Sequence, residues 1–463
     1  MPERIFMLMN NNKDFLGTEP IGRLLLKLAL PTVAAQLINM LYNIVDRIYI
    51  GHIPETGALS LTGIGVCMPL IMIVSAFAAL IGNGGAPRAT IFMGRKDLDS
   101  AQQTLGNCFT AQIVISAILT AVLLIFNRPL LMAFGASENT IPYALSYMNI
   151  YAIGTIFVEL TLGMNIFITA QGFAKVGMLS VLIGAIVNIG LDPVFIFGLH
   201  MGVKGAALAT IIAQAVSCIW VLRFLLGNKT ILRIQKKYMR LRADTLLPIL
   251  SLGISLFIIQ ASESVISVCF NTSLLKYGGD LAVGAMTIIT SVMQFALLPL
   301  QGLGQGAQPI VSFNYGAKNM LRVKAAFRLL LKISLLYSAL LWLCIMLFPN
   351  IFASIFTTNQ ELITFTKTAL RIYMAGIGVF GIQMACQLTF NSLGNAKASI
   401  LVAVMRKFVL LIPLIYLMPH LFPKLLPMSV YMAEPVADII AVSFTSVLFA
   451  FQFKKSLLQI SEL

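Results

Sequence analysis

Two carboxylates stand where an apolar helix does not easily hold them. Asp192 closes the stretch Asn188-Ile189-Gly190-Leu191-Asp192-Pro193, inside an apolar run at about 176–198. Asn188 and Asp192 are four residues apart, so their side chains share one helix face. Pro193 has no amide hydrogen, so the carbonyl of Ile189 loses its helical partner and the helix loosens beside the acid. A carboxylate at membrane depth costs about 2.5–3.5 kcal/mol on insertion scales and normally faces a water-filled cavity or a partner group. No Lys or Arg lies in this run to neutralise it. Asp46 is the second such acid, in the first apolar run. The chemistry open to this pair is reversible binding of a proton or of a small cation.

Other polar residues fall into stripes. Gln36, Asn39, Asn43 and Asp46 are spaced 3, 4 and 3, which makes one continuous polar face. Gln260, Glu263, Ser267 and Asn271 repeat the pattern, as do Gln383, Gln387 and Asn391, and Tyr151, Thr155 and Glu159. Interhelical hydrogen bonding explains any single amide. Several stripes carrying carboxylates point instead to a cavity, lined by Gln36, Asn39, Asn43, Tyr151, Glu159, Gln260, Glu263, Gln383 and Gln387.

The elements that must position these groups are membrane helices. Of 463 residues, 59% are hydrophobic and 11% charged, with mean hydropathy +0.91. A soluble protein carries about 25% charged residues. Apolar runs of about 20 residues recur, each able to span a hydrocarbon core of roughly 30 Å. They predict an all-α polytopic membrane protein with helices at about 24–50, 57–83, 100–126, 143–170, 176–198, 203–227, 245–270, 281–306, 322–348, 368–393, 398–420 and 428–452. Strands of a membrane barrel would be about ten residues of alternating polarity, which is not the pattern. No stretch is long and polar enough for a separate soluble domain, and the first run reads as an uncleaved helix.

The net charge of +15 would suggest nucleic acid in a soluble chain. Here the positions of the bases explain it, and no nucleic-acid partner is expected. Arg4, Lys13, Arg23, Arg95, Lys96, Lys175, Lys318, Arg322, Lys397, Lys454 and Lys455 fall in alternate loops and at the ends. The largest cluster is Arg233, Lys236, Lys237, Arg240 and Arg242, between two hydrophobic halves. Basic loops stay in the cytoplasm, so both termini are expected there, with anionic lipid headgroups as neighbours.

The chain repeats internally. Gly82-x-Gly84-x-x-Pro87 through Gly94-x-Lys96 matches Gly304-x-Gly306-x-x-Pro309 through Gly316-x-Lys318 at a shift of 222 residues. The same shift maps Gly172-x-Ala174-Lys175 onto Gly394-x-Ala396-Lys397, and Tyr151 onto Tyr373. Two pseudo-symmetric six-helix bundles follow: an N-lobe at 1–227, a basic cytoplasmic linker at 228–244 and a C-lobe at 245–463. Such halves enclose a central cavity and move against each other. Asp46 maps onto Val268 and Asp192 onto Leu414, so the acids serve no requirement common to both halves.

Depth brings the acids together. With the N-terminus inside, Asp46 and Asp192 both lie five or six residues before the outer ends of their helices. At about 1.5 Å per residue that is roughly 7–9 Å below the outer boundary. Thr210 enters from outside to a similar depth, and Glu263 reaches it from the other half. Two carboxylates close together in low dielectric do not readily both ionise, so such a pair can take up a proton outside and release it inside.

Other patterns carry less. Cys67, Cys108, Cys218, Cys269, Cys344 and Cys386 are scattered with no metal or redox spacing. His52, His200 and His420 fall near outer helix ends and form no ligand cluster. Gly302-x-Gly304-x-Gly306 follows no strand and reads as close helix packing or a bend, and no Walker A sequence exists.

At these residues the sequence resembles the multidrug and toxic compound extrusion (MATE) family over about 20–450. The matching stretches are Leu41-Tyr-Asn-Ile-Val-Asp46-Arg, Asn188-x-x-x-Asp192-Pro193, Gly202-Val-Lys-Gly-Ala-Ala-Leu-Ala-Thr210 and Phe313-Asn-Tyr-Gly-Ala-Lys-Asn319. The N-lobe acids resemble the DinF-type branch, and Tyr277-Gly-Gly-Asp280 with the Phe313 stretch resembles the MepA-like group. The resemblance implies secondary active export of amphipathic, often cationic, organic compounds, driven by inward H+ or Na+ with no other cofactor. It implies a coupling site at Asp46, Asn188, Asp192 and Thr210, with Tyr147 as the matching tyrosine. In the NorM-type branch the acids lie on helices 7 and 10; Glu263 fits the first, and Gln383 stands close to the place of the second. A bacterial cytoplasmic (inner) membrane, membrane lipids as neighbours and a monomer are implied as well.

Three rivals remain. A lipid-linked oligosaccharide flippase of related fold would need Arg or Lys inside its cavity for a pyrophosphate head. The candidates, Arg406 and Lys407, are placed near a helix end. An enzyme would need a nucleophile with a base, or a metal cluster, and neither is present. A passive channel fits the duplicated halves less well than rocking does.

Overall fold

The computed structural model describes residues 15–461. Arg4 and Lys13, counted above among the bases, lie outside them. Among the described residues eleven helices are long and apolar enough to cross a membrane. The longest, Ala243–Gly316, has 74 residues, and at about 1.5 Å each it would be far longer than a bilayer is thick. It breaks at Gly279, whose φ of 63° and ψ of −161° suit only glycine. The expected pair at 245–270 and 281–306 is therefore present with almost no loop between its members.

We number the helices α1 Ile21–Gly51, α2 Gly57–Gly94, α3 Leu98–Ala133, α4 Ile141–Ala170, α5 Ala174–Gly198 and α6 Val203–Leu226. The second set is α7 243–278, α8 280–316, α9 Met320–Leu347, α10 Gln360–Ser392, α11 Ala396–Leu421 and α12 Met428–Ser456. The fold is all-α and polytopic. Two ends differ from the sequence reading: α2 continues to Gly94 rather than 83, and α8 to Gly316 rather than 306. Pro87 and Pro309 of the repeat motif are carried inside these helices.

The 222-residue shift recurs in the backbone. Lys96 and Lys318 both take positive φ, 63° and 60°, as do Gly172 and Gly394. Asp97 and Asn319 each cap the next helix, accepting from the amides of Ser100 and Arg322.

Packing is unequal at the two ends of the molecule. At the end bearing most of the basic loops, one apolar core joins both sets, with Leu24, Leu28, Ile81 and Phe167 from the first and Ile249, Ile310 and Leu330 from the second. At the far end the core divides. Ile50, Leu70, Leu131 and Met148 form one cluster, and Ile266, Phe270, Leu370 and Tyr431 form another. Hydrogen bonds between the sets lie toward the basic end, from Thr32 Oγ1 to the carbonyl of Gly302 at 2.6 Å and from Asn391 Nδ2 to that of Asn83 at 3.3 Å.

The connection between the sets is docked against the first. Gln171 Oε1 accepts from Thr230 Oγ1 at 2.8 Å and from the amides of Ile231 and Leu232 at 2.8 and 2.7 Å. Asn107 bonds the carbonyl of Tyr238 and the amide of Arg242. Gln171→Ala leaves two backbone amides without an acceptor, at about 1–3 kcal/mol for each buried group. We expect a lower unfolding temperature and faster tryptic cleavage at Arg233 and Lys237. Gln171→Glu keeps the accepting oxygen and should preserve the wild-type cleavage rate.

Candidate ion-binding site

Helix α5 runs regularly to Pro193 and then widens into a π turn, Val194–Gly198. The missing amide of Pro193 is the local cause, and such turns concentrate at functional sites. Small residues bring α6 against this loosened stretch. A Cβ on Gly205 would lie 2.7 Å from the carbonyl carbon of Phe195, and one on Gly184 would lie 2.4 Å from Ser217 Oγ. Ser217 Oγ in turn donates to the carbonyl of Ser180 at 2.9 Å.

That approach sets Thr210 opposite Asn188. Asn188 Nδ2 lies 3.4 Å from Asp192 Oδ1 and 3.5 Å from Thr210 Oγ1, both long contacts. Helix α1 brings Asp46 to the same place, with its carboxyl group beside that of Asp192. From α4 the Tyr147 hydroxyl meets the Thr210 side chain, and its ring stacks on Tyr151 with centroids 6.2 Å apart. Asp192 and Asn188 are 0% and 1% exposed, and Asp46 is 9% exposed. Asp46 Oδ1, Asn188 Oδ1 and Asp192 Oδ2 are buried and have no hydrogen-bond donor. Asn188 and Thr210 also line a mostly apolar cavity of about 40 Å³, with Asn39, Tyr42, Leu162 and Val181 among the other lining residues; Asp46 and Asp192 do not line it. Its volume is enough for a water molecule. Three donor-less oxygens and a hydroxyl can accept a proton or coordinate a hard cation.

The structure thus assembles Asp46, Asn188, Asp192, Thr210 and Tyr147 from four helices. The residues expected to line a substrate cavity are placed differently from one another. Gln36 Nε2 donates to Gln305 Oε1 at 3.1 Å, tying α1 to α8. Beyond it Asn39 and Asn43 are exposed on α1, and Gln260 and Glu263 on α7. Tyr151, Glu159, Gln383 and Gln387 are buried instead. Gln387 Nε2 is spent on Ser399, at 2.8 Å to Oγ, and neither oxygen of Glu159 has a partner. A stripe on one helix does not say whether it faces a cleft or a neighbouring helix, which is why the four were grouped with the others.

Arg406 and Lys407 are not near a helix end. They sit in a π turn in the middle of α11, Met405–Leu411, and are buried. Arg406 Nη2 bonds Glu434 Oε1 and Arg406 Nε bonds Asp438 Oδ1, each at 2.8 Å. Lys407 Nζ bonds Glu263 Oε1 at 2.6 Å. The sequence reading missed Glu434 and Asp438. Their signal was present: two acids four apart in an apolar helix, with an adjacent Arg-Lys pair in another.

A family model described as MatE matches residues 31–194 and again 255–417. Multidrug export protein MepA of Staphylococcus haemolyticus is 24% identical over 402 residues, covering 87% of this chain and 88% of that protein. The protein of the same name from Staphylococcus aureus strain N315 is 23% identical over 404 residues, with the same coverage. Among solved structures, an outward-facing conformation of a multidrug resistance MATE family transporter of the MOP superfamily superposes with TM-score 0.89. It is 21% identical and covers 96% of this chain and 98% of its own. A MOP superfamily transporter from Pyrococcus furiosus, described as having a binding pocket of reverse polarity, gives the same TM-score, identity and coverage.

Proposed function

The chain belongs to the MatE family, and from that premise we propose that it is a secondary active multidrug efflux antiporter. It exports amphipathic, often cationic, organic compounds in exchange for H+. The similar proteins named as multidrug exporters support the substrate class. The observation that carries the coupling reading is the adjacency of the Asp46 and Asp192 carboxyl groups in a buried setting. Two carboxylates that close repel unless a proton lies between them. Na+ is the second reading, because the donor-less oxygens of Asp46, Asn188 and Asp192 with Thr210 form a hard oxygen set.

The mechanism we propose is alternating access of an N-lobe (1–227) and a C-lobe (245–463) in a bacterial cytoplasmic membrane, by a monomer. The basic end is cytoplasmic, following the bias of Lys and Arg. The single core at that end and the divided core at the other support a cleft open outward in this conformation. A cationic substrate in the cleft is attracted by carboxylates, with Asn39, Asn43, Gln260 and Glu263 exposed to it. Protonation of Asp46 and Asp192 removes that attraction, so ion and substrate exclude each other by charge. The inward proton then resets the lobes.

The test is export of a fluorescent cationic dye in everted vesicles, with a pH gradient and a Na+ gradient imposed separately. Dye accumulation under the pH gradient alone is expected. Accumulation under Na+ alone would replace H+ with the second reading, and accumulation under neither would overturn antiport.

A further inference from the structure

We propose that the second helix set holds a proton-binding site of its own, at Glu434, built from the ion-paired cluster of α7, α11 and α12. It uses different positions from the first, since the residues matching Asp46 and Asp192 are Val268 on α7 and Leu414 on α11. Five charged side chains meet here: Arg406 and Lys407 against Glu263, Glu434 and Asp438. Fully ionised, they leave one negative charge over. A net charge in a buried apolar setting is strongly disfavoured, and a single proton removes it.

Geometry selects the carboxylate. The Glu263 side chain is 49% exposed, and its charge is matched by Lys407 Nζ, which bonds it at 2.6 Å. Asp438 has Arg406 Nε at 2.8 Å and no buried oxygen left without a partner. Glu434 is 2% exposed; its Oε1 is taken by Arg406 Nη2, while its Oε2 is buried with no partner. The other groups facing it are neutral or already counted. Tyr373 of α10 lies near Glu434, and the Phe380 ring lies 4.7 Å from the Arg406 guanidinium. The proton binds Oε2 from water, and no other bond changes. Lys407 and Glu263 connect the buried end of the cluster to an exposed carboxylate on α7.

This inference goes beyond the antiport reading and does not depend on it, because the readout is proton binding by the resting protein. Infrared difference spectra of the purified full-length chain, between alkaline and acid buffer, report protonated carboxyl groups directly. Glu434→Gln is expected to remove one protonated-carboxyl band. Glu263→Gln, at the exposed acid, balances the cluster at two acids and two bases, so the same band should vanish although Glu434 remains. That loss is not one a merely structural role would cause. Asp46→Asn with Asp192→Asn should leave this band in place. If the band survives in Glu263→Gln, or no band distinguishes Glu434→Gln from wild type, the site is overturned. Should Glu434→Gln not fold, survival of the band in Glu263→Gln still overturns the site.

Discussion

Asp192→Asn, or Asp46→Asn, is expected to cut gradient-driven export by about one to two orders of magnitude while leaving the protein folded. The amide has the size of the carboxyl group and can donate to the remaining carboxylate, so the contact between the two helices survives. What it cannot do is exchange a proton or carry charge. An ion drives transport only by its differential affinity for the two conformations. Removing that term loses a coupling free energy of about 1–3 kcal/mol, so concentrative export should fall by about 5–150-fold. Thermal unfolding of both variants should stay near wild type, because the amide supplies the hydrogen that the shared proton supplied between the two side chains. Dye export from vesicles, with unfolding temperature measured on the same preparations, checks both halves of the expectation. Full export by either variant would place the coupling ion elsewhere.

Alanine at Gly94 or Gly316 is expected to have the second-largest effect, through the crossing of α2 and α8. A Cβ on Gly94 would lie 2.0 Å from the Phe313 carbonyl oxygen, and one on Gly316 would lie 2.0 Å from that of Ile91. Backbone on both sides leaves nothing to yield, so the helices must part. Overpacking of this kind costs about 1–3 kcal/mol. The crossing lies at the basic end, where the two sets share one core. Parting it should favour opening at that end, and a cysteine introduced at Ser312 should label faster from that side. At about 1.4 kcal/mol per factor of ten, the shift in the opening equilibrium is roughly 5–150-fold. The two contacts belong to one crossing, so the double variant should cost less than the sum of the singles. Unchanged labelling and unchanged unfolding temperature would show that the crossing carries no part of the closure.

The sequence revealed most of the fold because membrane helices advertise themselves in hydropathy. It also revealed why Asp46, Asn188 and Asp192 should matter, since an acid in an apolar run has no structural excuse of its own. The break at Gly279 was harder to place, because a hairpin closed by one glycine leaves no polar loop. The extensions to Gly94 and Gly316 were hidden by Gly and Pro, which look like helix breakers until neighbouring helices are seen to need the space. Which stripe faces which neighbour was not legible at all. Glu159, Gln383 and Gln387 look on paper like Asn39 and Asn43, yet they are buried where Asn39 and Asn43 are exposed. The pairing of Arg406 with Glu434 and Asp438 crosses 28 and 32 residues and a π turn, and periodicity within one helix says nothing about it.

The central claim is that proton and substrate compete through Asp46 and Asp192. Its most direct test is to count protons released when a cationic dye binds the purified protein in weakly buffered solution. The account predicts release on binding by wild type, and dye binding without release by Asp192→Asn. Equal release from both proteins would contradict it.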